Sequence, residues 1–205
     1  MEFEDSLDDE VWEIPTCHFT QLQSHYPPMP TESSSRIRAA IRDIPDFPLP
    51  GILFRDITPV LGDPVLFDLS LKSLTDTIGS IKPDKIVGID ARGFIFGAPL
   101  ANRLGAGFVP VRKKGKLPWQ TIARSYDLEY GSATVEIHAD AIRPGETVWL
   151  VDDLLATGGT CAAAKELILA AGGNLVAIST LIELTFLNGR TLLGEDVPVY
   201  SVVSY

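Results

Sequence analysis

A layered α/β fold around a largely parallel sheet is what this sequence predicts, and three observations carry the prediction. Short apolar runs of the buried-strand kind, such as KIVGI, FVPV and TVWLV, recur along the body of the chain. Helix-length segments bounded by Asp, Pro and Gly alternate with them. One strand runs directly into VDDLLATGGT, a glycine-rich turn opening a helix, and open α/β sheets bind ligands beyond the carboxyl ends of their strands. The chain has 205 residues, 45% of them hydrophobic, which suffices for one sizeable core but not comfortably for two full domains.

Residues 1–35 are acidic, then proline-rich (YPPMP), then serine-rich, with aromatics at no regular period. Such a composition cannot bury enough surface to offset its ordering entropy, so this stretch reads as a flexible leader; the alternative is that Val11, Trp12, Ile14 and Phe19 dock on the body. Residues 36–205 form the principal domain. SSSRIRAAIRDI predicts a serine-capped amphipathic helix ending before Pro45, and PDFPLPG a rigid connector into ILFRDITPVL. Asp63 caps a helix that starts at Pro64, carries Leu66, Leu69, Leu71, Leu74 and Ile78 on or near one face, and stops at Gly79. KIVGID then predicts a buried strand, ARGFIFGAPLANRLG a helix ending at Gly105, and FVPVR another strand. Residues 113–131 show neither period and read as a structureless, flexible active-site loop. TVEIH and TVWLV are strands flanking the turn-like RPG, the helix after Thr157 reaches Gly172 and Gly173, and LVAISTLIEL and PVYSVV complete the sheet.

The formal net charge of -10 disfavours nonspecific binding to nucleic acid or an acidic membrane, which depends on Lys and Arg neutralising phosphates. No segment approaches the ~20 apolar residues that span a bilayer. Cys17 and Cys161, the only cysteines, make neither a disulfide framework nor a metal motif, which suits a cytoplasmic protein. His18, His25 and His138 lack the spacing for metal or triad chemistry.

VDDLLATGGT poses the chemical question. Backbone N–H groups at a helix start, with the Thr157 and Thr160 hydroxyls, suit an anion. The run is neither a Walker A loop nor a dinucleotide fingerprint, for the Gly-Lys-Ser/Thr and G-x-G-x-x-G patterns are absent. Hydrogen bonds to a charged group contribute about 1.5–3 kcal/mol each, so several can hold a phosphomonoester without a lysine. Asp152 and Asp153 would repel a bare phosphate, but they accept hydrogen bonds from a vicinal diol and can order magnesium through its waters. A sugar phosphate meets both demands, ribose 5-phosphate being the simplest; an ordinary threonine-capped helix beside solvated acids is the other reading.

The Asp-Asp, two apolar residues and Ala-Thr-Gly-Gly-Thr of this stretch resemble the phosphoribosyl pyrophosphate signature of the type I phosphoribosyltransferase family. PDFPLPGILFRDITPVL, GIDARGFIFGAPLA, VRKKGKLP, YDLEYG and ELTFLNGR resemble, in the same order, the adenine phosphoribosyltransferase branch, over residues 36–205. The resemblance implies a parallel central sheet flanked by helices, a small N-terminal hood and a flexible catalytic loop. It also implies a homodimer, a purine-salvage transfer of the 5-phosphoribosyl group from phosphoribosyl pyrophosphate to adenine giving AMP and pyrophosphate, and Mg2+ held mainly through substrate and water.

Carried over by position, Ala156, Thr157, Gly158, Gly159 and Thr160 wrap the ribose 5-phosphate, and Asp152 and Asp153 face the ribose hydroxyls. Arg92 meets the pyrophosphate, with Ala91 standing where some relatives have serine; Arg112, contributed across the dimer interface, and Lys116 reach pyrophosphate oxygens. Leu53 and Arg55 bond the adenine edge through their backbone, next to Phe54, and Leu154 packs on the ring. Glu129 contacts the purine and manages its proton, with Tyr130 beside it on the loop. Two rivals stand: another base specificity, against which ILFRDITPVL and SYDLEYG speak, and a donor-sensing regulator, which should bring a basic helix-turn-helix that this acidic leader lacks.

Overall fold

The computed structural model describes residues 31–127 and 131–205. Its first element, α1 (Glu32–Ala40), is capped by Thr31, whose hydroxyl accepts from the Ser34 N–H at 3.1 Å. The cap is therefore a threonine rather than a serine, and regular structure begins ahead of residue 36. The helix also stops earlier than expected. Ile41 turns into extended backbone, and β1 (Arg42–Pro45) pairs antiparallel with β2 (Leu53–Asp56), making PDFPLPG the turn of a hairpin. Pro45 disfavours helical backbone at Ile44, which helps commit this segment to the ladder. Within the turn, the Gly51 N–H donates to Asp46 Oδ1 at 2.7 Å. Residues 1–30, with Val11, Trp12, Ile14 and Phe19, lie outside the described residues.

After α2 (Thr58–Gly62), α3 (Pro64–Ile78) starts as its sequence predicts, with Asp63 accepting from the Val65 and Leu66 N–H groups at 2.8 and 3.0 Å. The central sheet follows: β3 (Lys85–Ile89), α4 (Arg92–Leu104), β4 (Gly107–Lys113), β5 (Thr121–Asp127), β6 (Ser132–His138), β7 (Thr147–Leu155), α5 (Gly159–Ala170), β8 (Asn174–Glu183), two short 3-10 turns, and β9 (Val199–Ser204). Its strand order is β5-β6-β4-β3-β7-β8-β9. The five strands from β4 to β9 in that order are parallel, and β6 and β5 extend one edge antiparallel.

Because successive side chains alternate across the sheet, each strand feeds two cores. Ile86, Trp149 and Val151 join Ile37, Leu71, Leu74, Phe96 and Leu100 from α1, α3 and α4. Val87, Val109 and Leu150 join Leu167 and Ile168 of α5 on the other side. Trp149 is fully buried and its indole N–H is satisfied by Ser179 Oγ at 2.9 Å, as a buried indole requires. β4 and β7 lie on opposite sides of β3, so the chain reverses its winding there and leaves a crevice past the carboxyl ends of β3 and β7.

The segment 113–131, expected to lack regular structure, contains β5. Ile122, Arg124 and Tyr126 share the face turned to α5: Ile122 and Tyr126 pack on the core there, and Arg124 Nε lies 3.3 Å from Glu166 Oε2. A single face of three residues with a charge at its centre leaves too short an apolar alternation to read. Full antiparallel pairing with β6, from Thr121–His138 to Asp127–Ser132, supplies what the pattern hides.

Candidate active site

β7 ends in Leu155, and Ala156–Thr160 turns from it into α5. No side chain caps α5; its N-cap is Gly158, in the left-handed region at φ +88°. Backbone donors at the start of a helix are then left for a ligand. The turn is braced from behind by Gly189 of the 3-10 turn Gly189–Leu193, since a Cβ on Gly158 would overlap the Gly189 carbonyl oxygen, and a Cβ on Gly189 would overlap that of Ala156. Gly189 belongs to the ELTFLNGR motif, where sequence reasoning assigned it no part.

A second helix begins at the same place. α4 starts at Arg92, and its N-cap Ala91 provides no side-chain bond. Ile89–Arg92 and Asp152–Cys161 together line a cavity of about 260 Å³. Two helix starts without side-chain caps thus meet at one polar crevice.

The carboxylates hold the two motifs together. Arg92 Nε lies 2.7 Å from Asp153 Oδ2, an acid only 5% exposed. Asp152 Oδ1 accepts from the Asp153 N–H at 2.9 Å and sits so close to α4 that a Cβ on Gly93 would come within 2.7 Å of it. Burial, aided by the charge of Asp153, pushes the Asp152 carboxyl well above the usual carboxylate range, although part of the residue reaches solvent. Burial also raises Asp153, against the opposing Arg92 guanidinium. Cys161, in the first turn of α5, is buried; desolvation, with the charges of Asp152 and Asp153, pushes its thiol pKa well up, which fits a packing residue.

The remaining sequence-derived candidates are dispersed. Arg112 is tied within its own chain, its Nε donating to Asp90 Oδ2 at 3.0 Å and its Nη1 to the Lys116 carbonyl at 3.1 Å. Lys116 is exposed, and the turn that carries it is organised by a residue the sequence reading missed. Glu136 on β6 is buried and accepts from the Gly115, Lys116 and Leu117 N–H groups at 2.9, 3.2 and 3.3 Å and from the Thr121 hydroxyl. Its one signal was an acid in the apolar run TVEIH. Leu154 lines the cavity, whereas Leu53, Phe54 and Arg55 lie outside its lining; Phe54 approaches only through Arg92, whose guanidinium is 5.7 Å from the ring centroid. The Arg55 side chain turns away to pair with Asp43 and stack 3.8 Å from the Tyr205 ring centroid, leaving its backbone as the part available to a base. Glu129 and Tyr130 lie outside the described residues. Among the described residues, no group of three or more His, Cys, Asp and Glu side chains is placed to hold a metal ion, and no helix is long and apolar enough to cross a membrane.

The phosphoribosyl transferase domain matches residues 68–203. The adenine phosphoribosyltransferase of Thermobifida fusca (strain YX) is 54% identical over 167 residues, spanning 82% of this chain and 95% of its own. The chain belongs to the adenine phosphoribosyltransferases. Among solved adenine phosphoribosyltransferases, that of Rhodothermus marinus is 53% identical with a TM-score of 0.81, covering 84% of this chain and 98% of its own. The Saccharomyces cerevisiae enzyme, solved with an imino-altritol bisphosphate and adenine, is 41% identical with a TM-score of 0.78, over 83% and 98% of the two chains. The fold of this adenine phosphoribosyltransferase is accordingly the type I phosphoribosyltransferase fold, with α1 and the β1–β2 hairpin as its small N-terminal lobe.

Proposed function

We propose that the crevice past β3 and β7 is where this adenine phosphoribosyltransferase moves the 5-phosphoribosyl group from phosphoribosyl pyrophosphate to adenine, forming AMP and releasing pyrophosphate. The supporting observation is the meeting, in one cavity, of the uncapped start of α5 with the Arg92–Asp153 pair and Asp152. Ala156–Thr160 would hold the 5-phosphate by backbone and hydroxyl donors. Asp152 and Asp153 would accept from the ribose hydroxyls and face the ring as it becomes cationic.

Adenine N9 displaces pyrophosphate at the anomeric carbon with inversion, and bond breaking runs ahead of bond making. Negative charge then grows on the leaving group, and fixed cations aimed at it lower the barrier. Arg92, paired with Asp153, and Arg112, paired with Asp90 and in this reading contributed across the dimer interface, would serve that task. Lys116 and Tyr130 would complete that side. The adenine edge would meet the backbone of Leu53 and Arg55 beside Phe54, with Leu154 on the ring. Two adjacent carboxylates that do not close a cage suit Mg2+ held mainly by substrate oxygens and water, with Asp152 and Asp153 as its water-bridged partners. Bound there, the ion would supply charge neutralisation for the departing pyrophosphate.

A panel of bases incubated with magnesium and phosphoribosyl pyrophosphate tests the reading: AMP from adenine is the expected product, and no nucleotide from any base would favour a donor sensor. Glu129 would bear on adenine N7 as the purine's proton is managed. Glu129→Gln should therefore lower kcat by about 10²-fold, with little change in donor KM, in steady-state assays. Near-normal turnover would remove it from that role.

The working unit in this reading is a cytoplasmic homodimer. Phe47, Leu49, Ile52 and Leu53 expose an apolar surface on the N-terminal lobe, and the buried, free Cys161 thiol fits a reducing compartment. Sedimentation equilibrium should return twice the chain mass; a monomer at micromolar concentration would overturn the dimer, and fractionation outside the cytoplasm the location.

A further inference from the structure

β5 meets the phosphate loop through a side chain with no part in the scheme above. Thr160 Oγ1 donates to Tyr126 Oη at 2.9 Å. The Tyr126 ring lies over the same turn, since a Cβ on Gly159 would fall 3.0 Å from its Cδ2. Arg124 and Glu166 fasten the same strand further along α5. We propose that Tyr126 is a positioning residue of the donor site, its hydroxyl orienting the Thr160 hydroxyl toward the 5-phosphate; this rests on Thr160 being a phosphate ligand.

The chemistry follows from the two hydroxyls. Each has one proton to give and two lone pairs. With no anion bound, Thr160 gives its proton to Tyr126. A phosphate dianion only accepts, so on binding Thr160 must turn its proton toward it. Tyr126 then reverses role and donates to the freed lone pair of Thr160, keeping the bond and polarising the Thr160 hydroxyl toward the anion. A phenylalanine would keep the ring over Gly159 but leave Thr160 unheld.

Calorimetric titration with ribose 5-phosphate provides the test. Tyr126→Phe should weaken its binding roughly 3- to 10-fold, because the Thr160–phosphate hydrogen bond loses the partner that orients and polarises it, an effect on the scale of one hydrogen bond. In steady state the KM for phosphoribosyl pyrophosphate should rise by the same factor, while the KM for adenine stays unchanged and the Tm falls by no more than ~2–4 °C, since the free protein also loses that one hydrogen bond. In a Thr160→Val background, Tyr126→Phe should cost nothing further. Wild-type protein that binds ribose 5-phosphate, with Tyr126→Phe binding it equally or with additive losses in the double variant, would overturn this inference alone. Wild-type protein that fails to bind it would overturn the donor-site reading as well.

Discussion

Gly158→Ala should weaken ribose 5-phosphate binding by at least ~100-fold, the cost of losing two or more hydrogen bonds to a charged group. Two causes act together. At φ +88° an L side chain is strained, and an added Cβ would overlap the Gly189 carbonyl oxygen while lying 3.0 Å from its carbonyl carbon. Both obstacles are backbone, so no flexible side chain can move aside. Gly189 cannot retreat either, because its neighbour Arg190 reaches Glu183 at 2.5 and 2.7 Å and the Val199 carbonyl at 2.6 Å. The turn must shift, and its N–H groups with it. Gly189→Ala should reproduce the defect from a site that touches no substrate. Gly62→Ala, with nothing within 4 Å of the new Cβ, serves as the control. Calorimetry with ribose 5-phosphate reads all three, and unchanged affinity in Gly158→Ala would refute the argument.

Asp152→Asn should split stability from activity. The carboxyl is held near Asp153 and behind Gly93, and its pKa is raised chiefly by burial and then by the Asp153 charge. A raised folded pKa means that, between the ordinary carboxylate value and the raised one, the folded state binds more protons than the unfolded state. Stability is therefore fully present below the ordinary value and is lost as pH rises through that window. Asparagine keeps the oxygen that accepts from the Asp153 N–H and removes the charge. The variant should melt higher than wild type at neutral pH, and its Tm should fall less as the pH rises out of the acid range. Its kcat/KM for phosphoribosyl pyrophosphate should meanwhile fall by roughly 10²- to 10³-fold, the scale of removing one preorganised electrostatic partner. A lower Tm at neutral pH, measured by calorimetry, would contradict the assigned strain.

Local chemistry made much of this legible in the chain. Asp63 before Pro64 stated a helix start, Gly79 and Gly105 stated helix ends, and the acids and small residues of VDDLLATGGT are contiguous, so their joint meaning could be read directly. Contacts between distant segments left no such trace. Gly93 against Asp152, Gly158 against Gly189, and Arg112 beside Asp90 each join stretches whose separate patterns say nothing of one another. Gly79 and Gly105 read as punctuation and Gly158 as part of a phosphate turn, whereas Gly93, Gly158 and Gly189 are also places where two backbones or a backbone and a carboxylate come close. β1 reads as the end of the first helix because RDIP carries no strand alternation, and Glu136 goes unread because an acid inside a strand announces no partners.

Helices α4 and α5 both begin without the side-chain cap that a free-standing helix would carry. A phosphate at one and a pyrophosphate at the other would take the place of Ser, Thr or Asp at those ends. In the proposed scheme the donor would serve as the missing terminal residue of two helices, lent from solution for one catalytic cycle and withdrawn as nucleotide and pyrophosphate depart.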